Sequence, residues 1–239
     1  MNSQMPTAYG RLKYLFPIFL ALIVAVYGLS RAGVIDLPRK YDPFALPDLA
    51  ERPNFLTPFK LKLIDTNAEN CRAAFANARK IVTIKPPSSD KLRCAKQDTI
   101  TLSNLSLAKL RSEDTRCAIA ARLFMWEKNI VQPAAIRYFN EPVSEILHFG
   151  SYSCRTMRGS SAMSEHATAN AFDISGFRLR SGKLVTVKQQ WNGNQPSSQF
   201  LHAARRGACD YFNLVLSPDY NADHADHLHV DMGWYRSCR

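Results

Sequence analysis

Histidine and aspartate side chains in two separated segments are the residues whose types and spacing could do chemistry. The first segment, SEHATANAFDIS, carries His166 and Asp173 with six residues between them. The second, HADHLHVDM, carries His227 and His229 two positions apart, which on a strand places both side chains on one face. Asp231 continues that face, and we assign it a structural role. If the segments meet, imidazoles and a carboxylate surround one point.

Two histidines and one carboxylate around an open position form the ligand set of a catalytic zinc ion, which lowers the pKa of a bound water to about 7. A closed structural site would need four protein ligands, usually including cysteine. The sequence contains no CxxC pair, and its six cysteines are assigned to disulfides. The residue types therefore favour an open site with Zn²⁺ as the cofactor.

The six cysteines all follow the N-terminal apolar run, and an even count in an exported domain indicates disulfides. Six cysteines allow 15 connectivities. Proximity in the sequence predicts the pairs Cys71 with Cys94, Cys117 with Cys154, and Cys209 with Cys238.

The elements expected around these segments indicate an α+β domain in which helices precede a mostly antiparallel sheet that carries the metal site. Strands are predicted at 146–153, 171–179, 183–187, 214–217 and 228–232, with a short one over IVTIKPP. Helices are predicted over CRAAFANARK after a start at 66–70, over 112–130 with an N-cap at 112–114, over PAAIRYFN, and over 197–211.

The N-terminal part of the chain indicates export. We predict a cytoplasmic segment at 1–13, a transmembrane signal anchor at 14–30, an extended proline-dotted linker at 31–66 and a folded domain at 67–239. Positive residues before the apolar run would hold the amino terminus inside. A cleaved signal peptide is the alternative, although no clear small-x-small cleavage site follows.

The net charge of +11 and pI near 9.5 suggest an anionic partner, such as nucleic acid, lipid headgroups or a cell-wall polymer. The basic residues are scattered, and no zinc-finger, helix-turn-helix or RNP pattern accompanies them. Composition and export together disfavour a DNA-binding or nuclease domain, and the sequence carries no signal for an oligomeric state.

The pattern Ser164-x-His166-x6-Asp173 with His227-x-His229 resembles the superfamily of lysostaphin-type endopeptidases, D-Ala-D-Ala peptidases and the hedgehog domain. HADHLH is similar to the HxxHxH arrangement of penicillin-insensitive murein endopeptidases. Residues 71–238, with GSYSCR, SEHATANAFDISGF and DYNADHADHLHVDM, resemble the bacterial extensin-like C-terminal domain family, which is placed in that superfamily.

The resemblance implies roles for individual residues. The zinc ligands would be His166, Asp173 and His229. His227 would be the unliganded first histidine of the pair, placed to stabilise a tetrahedral intermediate or to move a proton.

The resemblance leaves the general base open between Asp226 and His224. Asp226 occupies the position of the glutamate used by the dipeptidases but is one methylene shorter, and His224 matches a position in the murein endopeptidases. Arg155 would bind a substrate carboxylate or an oxyanion, and Ser164 would orient the ligand loop or bind substrate. Ala169 stands where much of the superfamily has glycine, so a negative φ is expected there.

The implied activity is a zinc-dependent hydrolase of the cell envelope that cleaves amide bonds in peptidoglycan stem peptides or cross-links, of the D,D- or L,D-carboxypeptidase or endopeptidase type. The alternative, suggested by the hedgehog branch, is a non-catalytic zinc module that binds wall peptide or protein. The implied location is the inner membrane, single-pass, with the domain facing the periplasm. Peptidoglycan or another anionic envelope polymer would be the partner.

Overall fold

The computed structural model describes residues 9–65, 67–80, 82–88 and 92–239. The chain forms two compact units that divide between Ala45 and Leu46. The first contains helix α1 (Tyr9–Arg31) and a 3₁₀ turn at Arg39–Tyr41. Helix α1 covers the predicted anchor, yet no helix within the described residues is both long and apolar enough to cross a membrane. Of the predicted cytoplasmic segment, residues 1–8 lie outside the described ones.

The second unit contains the remaining helices and the strands. Its helices are α2 (Thr57–Asp65), α3 (Ala68–Asn77), α4 (Cys117–Trp126), α5 (Gln132–Phe139), α6 (Val187–Gln190) and α7 (Pro196–Ala208). Its strands are β1 (Thr99–Asn104), β2 (Lys109–Arg116), β3 (Val143–Gly150), β4 (Ala171–Leu179), β5 (Leu184–Thr186), β6 (Leu214–Leu216), β7 (Leu228–Asp231) and β8 (Ser237–Cys238). The α+β class is confirmed, although α4 and α5 lie between β2 and β3, and α6 and α7 follow β5, instead of preceding the sheet.

The sheet is mixed, which corrects the expectation of a mostly antiparallel sheet. Its order is β1-β2-β3-β4-β7-β6-β8, and β5 pairs with β4. Strand β3 runs parallel to β2, and β8 runs parallel to β6. Parallel neighbours need a long crossover, and the helical stretch from α4 to α5 supplies one between β2 and β3.

Helix α4 forms the centre of the core, and all ten of its residues are buried. Such burial on every side is typical of a helix that is apolar all round. The helix begins at Cys117 and not at residue 112, because residues 112–116 belong to β2. The predicted N-cap is wrong: the Asp114 carboxylate accepts hydrogen bonds from Lys85 and Thr101.

A π-helical segment at Glu127–Val131 joins α4 to α5 and fixes the strands beside it. The fully buried Glu127 carboxylate accepts the backbone N–H groups of residues 106–108 at 3.0–3.2 Å. Gln132 binds both backbone groups of Val143 at the start of β3. The junction therefore anchors the β1–β2 turn and β3 to the core helix.

The predicted extended linker differs from the structure over residues 46–65. Helix α2 lies in this segment, and Leu49, Leu61 and Ile64 are almost fully buried in the core. Asp65 also forms an ion pair at 2.6 Å with the buried Arg122. Apolar side chains that fill the core therefore make this segment part of the compact unit.

Other predicted boundaries shift by a few residues. Thr66, within the predicted start of the domain, lies outside the described residues, and Asn67 caps α3 by accepting the Asn70 N–H. The strand predicted over IVTIKPP includes Ile81, which is also outside the described residues, and 82–87 form no strand. Strand β3 begins three residues before its predicted start, whereas β4 has the predicted bounds.

The disulfides are Cys71–Cys117, Cys94–Cys154 and Cys209–Cys238. The predicted Cys209–Cys238 pair is confirmed, and the pairs Cys71 with Cys94 and Cys117 with Cys154 are wrong. Cys71 lies in α3 and Cys117 begins α4, and these two helices pack against each other. Contact between elements, and not proximity in the sequence, determines the pairing.

Candidate metal centre

Strand pairing brings the two histidine segments together. β4 and β7 are antiparallel neighbours, and Asp173 lies directly opposite His229 in their register. His166 reaches the same place from the 3₁₀ turn Glu165–Thr168, which precedes β4. Ser164 caps that turn, and its Oγ accepts the backbone N–H of His166 at 3.3 Å. Ser164 therefore stabilises the turn that carries His166.

The side chains of His166, Asp173 and His229 converge on one point. His166 Nε2 lies 3.1 Å from Asp173 Oδ2, and His229 Nδ1 lies 2.9 Å from Asp173 Oδ1. The two imidazole nitrogens are 3.2 Å apart. His166 and His229 are 3% and 8% exposed, so the cluster is screened from bulk water.

The donor set fits a zinc ion. Nitrogen and oxygen ligands about 2.0–2.1 Å from a tetrahedral ion lie about 3.3–3.4 Å from one another. The three distances in the cluster, 2.9–3.2 Å, are slightly shorter. A small outward movement of the side chains would accommodate the ion and leave a fourth position for water or substrate.

The protonation of the cluster follows from its contacts. Burial alone would raise the pKa of Asp173, but hydrogen bonds and charges from His166 and His229 hold it far below the ordinary value of 3.8. Burial alone would lower the pKa of His229, but Asp173 and Asp231 raise it to about 9. In the metal-free protein an ionised carboxylate therefore faces a protonated imidazole, whose proton a bound cation would displace.

Groups behind the cluster fix the two imidazoles. His166 Nδ1 donates to the Ser151 carbonyl at 2.9 Å, and His229 Nε2 donates to Asp231 Oδ2 at 3.0 Å. The fully buried Ser151 hydroxyl contacts Thr115 Oγ1 at 2.8 Å. Sequence reasoning missed Ser151, since a backbone carbonyl leaves no signal in residue type. It assigned Asp231 only a structural role, although the two-residue spacing from His229 was visible.

His227 lies beside the cluster and is held by Asp226. Its Nδ1 is 2.9 Å from Asp226 Oδ1, and its Nε2 is 3.6 Å from Asp173 Oδ1. The ring packs edge-on against exposed Phe149, with centroids 5.7 Å apart. Asp226 thus contacts the cluster through His227.

His224 contacts the other histidines by its ring alone. Its centroid lies 5.1 Å from that of His227 and 5.8 Å from that of His229, and Asn221 Oδ1 holds its Nδ1 at 2.6 Å. Burial, followed by the charges of His229 and His227, lowers the pKa of His224 to about 4. A neutral imidazole with this pKa is a weak base at neutral pH.

Arg155 and Ala169 are the remaining residues to which the sequence analysis gave an expectation. The Arg155 side chain is exposed, and its carbonyl accepts the Ser164 N–H at 3.1 Å. The negative φ expected at Ala169 is wrong, because its φ is +56°. Ala169 ends the turn that carries His166, and a left-handed residue commonly ends a helical segment. The buried Ala169 accepts this conformation at a cost of about 1–2 kcal/mol relative to right-handed backbone.

Comparison with known proteins identifies the family. Neither a search of curated proteins nor one of solved structures returns a match. The family model described as Extensin-like protein C-terminus matches residues 69–239, which include every residue of the cluster and all three disulfides. The chain therefore belongs to the extensin-like protein C-terminus family.

Proposed function

We propose that this protein is a zinc-dependent hydrolase that cleaves amide bonds in the stem peptides or cross-links of peptidoglycan. The convergence of His166, Asp173 and His229 carries the proposal, because their spacing suits a tetrahedral ion with an open position. The order and spacing of the ligands in the sequence also support placement of the family in the lysostaphin and D-Ala-D-Ala peptidase superfamily.

The residues of the cluster would hold the ion through Asp173 and one nitrogen of each imidazole. A zinc ion bound there supplies Lewis acidity, which polarises a carbonyl and makes water acidic. The ionised Asp173 provides the negative charge of the ligand set. Burial of His166 and His229 lowers the local dielectric and strengthens these interactions.

His227 is the best-placed residue for proton transfer. Asp226 fixes its Nδ1, which leaves Nε2 directed toward Asp173 at the edge of the cluster. A carboxylate that orients an imidazole is a recurring arrangement in general acid–base catalysis. We therefore assign the general base to His227, with Asp226 orienting it, in preference to Asp226 itself or His224.

An envelope location belongs to the same proposal. Three disulfides support a compartment outside the reducing cytoplasm. The net charge of +11 supports attraction to peptidoglycan or another anionic polymer. Attachment to the inner membrane through residues 14–30, with the domain in the periplasm, stays a prediction.

Metal analysis and mass spectrometry of muropeptides test the proposal on the purified full chain. We expect one equivalent of zinc after metal loading, and muropeptide fragments with new termini. Asp173→Asn should lose both zinc binding and muropeptide cleavage, because an amide is a much poorer metal ligand than a carboxylate. His202→Gln is the matched control, since His202 stacks on Trp191 with ring centroids 4.1 Å apart and lies outside the cluster.

Two results would contradict the proposed hydrolase activity. A chain that takes up no zinc after loading would remove its basis, as would identical fragments from the wild type and Asp173→Asn. Zinc-loaded protein that leaves muropeptides intact but sediments with wall material would instead indicate the binding module.

A further inference from the structure

The Asp231 carboxylate binds two partners behind the cluster. Its Oδ2 accepts the Nε2–H of His229 at 3.0 Å, and its Oδ1 accepts the backbone N–H of Gly233 at 2.8 Å. Asp231 is 3% exposed and lies in β7, where it pairs with β4 on one side and β6 on the other. Both its backbone and its carboxylate are therefore fixed.

Gly233 lies close to two carboxylates, those of Glu165 and Asp231. A Cβ at this position would lie 2.7 Å from Glu165 Oε1 and 3.2 Å from Asp231 Oδ1. The other oxygen of Glu165 accepts the Asn170 amide at 2.6 Å. A side chain at position 233 would therefore displace the end of the Glu165 side chain and crowd the Asp231 carboxylate.

The contacts of the ring nitrogens decide which atom can bind a cation. A neutral imidazole has one N–H and one lone pair, so a nitrogen that donates to a carboxylate leaves the other as the ligand. In His229, Nε2 faces Asp231 and Nδ1 faces Asp173. In His166 the arrangement is reversed, with Nδ1 on the Ser151 carbonyl and Nε2 facing Asp173.

We propose that Asp231 is a positioning residue of the metal centre, which holds the Nε2–H of His229 and thereby assigns Nδ1 of that histidine to the cation. This inference rests on the proposed function, because it requires a cation in the cluster. Partners of this kind fix the tautomer and the ring orientation of a ligating histidine, and their removal costs about 10–100-fold in metal affinity.

The test compares Asp231→Ala with Asp219→Ala in the full chain. Asp219 is a matched control because its carboxylate accepts the indole N–H of Trp191 at 2.7 Å, again a ring N–H, and Asp219 is not a member of the cluster. Zinc affinity is measured by competition with a chelator. We expect an affinity about 10–100-fold weaker for Asp231→Ala, and an unchanged one for Asp219→Ala.

A spectroscopic reading separates positioning from general loosening of the fold. Nitrogen-15 spectra of the zinc-loaded wild type should show His229 bound to zinc through Nδ1, with a hydrogen-bonded Nε2–H. Asp231→Ala should lose that hydrogen bond. Asp231→Asn retains one oxygen acceptor, and it should restore part of the zinc affinity if that oxygen faces the ring.

Three outcomes would overturn the inference. They are Nε2 ligation by His229 in the wild type, wild-type zinc affinity in folded Asp231→Ala, and equal losses in the Asp231 and Asp219 variants. None of these readings depends on hydrolysis. A chain that binds zinc but cuts no muropeptide would therefore contradict the proposed function and leave the inference on Asp231 standing, whereas a chain that binds no zinc would contradict both.

Discussion

At the scale of single residues, the four histidines near Asp173 differ in what holds their ring nitrogens. In His166 one ring nitrogen donates to the Ser151 carbonyl, and in His229 one donates to the Asp231 carboxylate. The other nitrogen of each ring faces Asp173. His227 is fixed by a carboxylate but stands outside the cluster of three ligands, and His224 is fixed by an amide oxygen. Residue type alone makes the four equivalent, and their hydrogen-bond partners separate the two candidate metal ligands from the candidates for proton transfer.

The position of His227 leads to a prediction about activity. Replacement by alanine removes the imidazole next to the cluster without removing a ligand, so kcat should fall about 10²–10⁴-fold, the typical contribution of a general acid or base. Zinc stoichiometry should stay at one. Rates of muropeptide cleavage and metal analysis on the same preparation measure the two effects.

His224→Gln provides the comparison for this prediction. The lowered pKa of His224, about 4, makes it a poor proton acceptor at neutral pH, so its replacement should reduce kcat much less. Equal losses in the two variants, or full activity in His227→Ala, would be inconsistent with His227 as the base.

The members of the three-residue cluster were predictable from the sequence, and the groups that support them were not. His166, Asp173 and His229 combine residue types that bind metals with spacings that a loop and two strands can satisfy. Ser151 acts through its carbonyl, and the positive φ of Ala169 depends on where its turn ends. Neither property is visible in residue type.

At the scale of elements, residues 112–116 show how local signals can mislead. Serine followed by two acidic residues is typical of a helix start, but here the same residues lie in β2, and Glu113 and Asp114 pair with β1. Asp114 uses its carboxylate across the strands, on Thr101 at 2.8 Å and on Lys85 at 2.6 Å. Pairing with the preceding strand of the β1–β2 hairpin outweighs the local preference, and the few residues of the helix-start signal do not include that partner strand.

The contacts of the Asp114 carboxylate lead us to expect that the free energy of unfolding depends on pH. Burial alone would raise its pKa, but hydrogen bonds from Lys85 and Thr101 and the charges of Lys85 and Lys96 together lower it below the ordinary 3.8. A folded-state pKa below the unfolded one adds stability above about pH 4, and this stability is lost as the pH falls through the folded-state value. At pH 7, Asp114→Asn should lower the free energy of unfolding by about 0.2–1 kcal/mol.

Urea unfolding of the wild type and Asp114→Asn at pH 7 and at pH 3 measures this effect. The difference between the two proteins should shrink at the lower pH. Glu69→Gln is the control, because Glu69 pairs with Arg72 on the surface and its side chain is 71% exposed, where such pairs contribute little. A difference for Asp114→Asn that is the same at both pH values would contradict the assignment.

At the scale of the whole molecule, the sequence predicted the α+β class but not the topology. Strand β4 has its predicted bounds, and its central place in the sheet agrees with its almost continuous burial. The mixed sheet depends on the crossover through α4 and α5, and the inclusion of residues 46–65 depends on a space in the core for Leu49 and α2. Both are long-range consequences of packing, as is the pairing of four of the six cysteines.

The disulfides predict that stability and metal binding can be separated. Cys94–Cys154 closes 60 residues and holds the chain between β3 and the turn of His166, whereas Cys209–Cys238 closes 29 residues and joins the end of α7 to the edge strand β8. Replacing either pair of cysteines by alanine should lower the free energy of unfolding by about 2–5 kcal/mol. Chain entropy makes loss of the longer loop about 0.6 kcal/mol more costly.

Zinc affinity should fall only in the variant without Cys94–Cys154, because that bridge restrains the segment that carries His166. The affinity of the folded protein is measured by chelator competition at urea concentrations below the unfolding transition. Equal affinities in the two variants would mean that β4 and the buried Ser151 contacts hold His166 without help from the bridge.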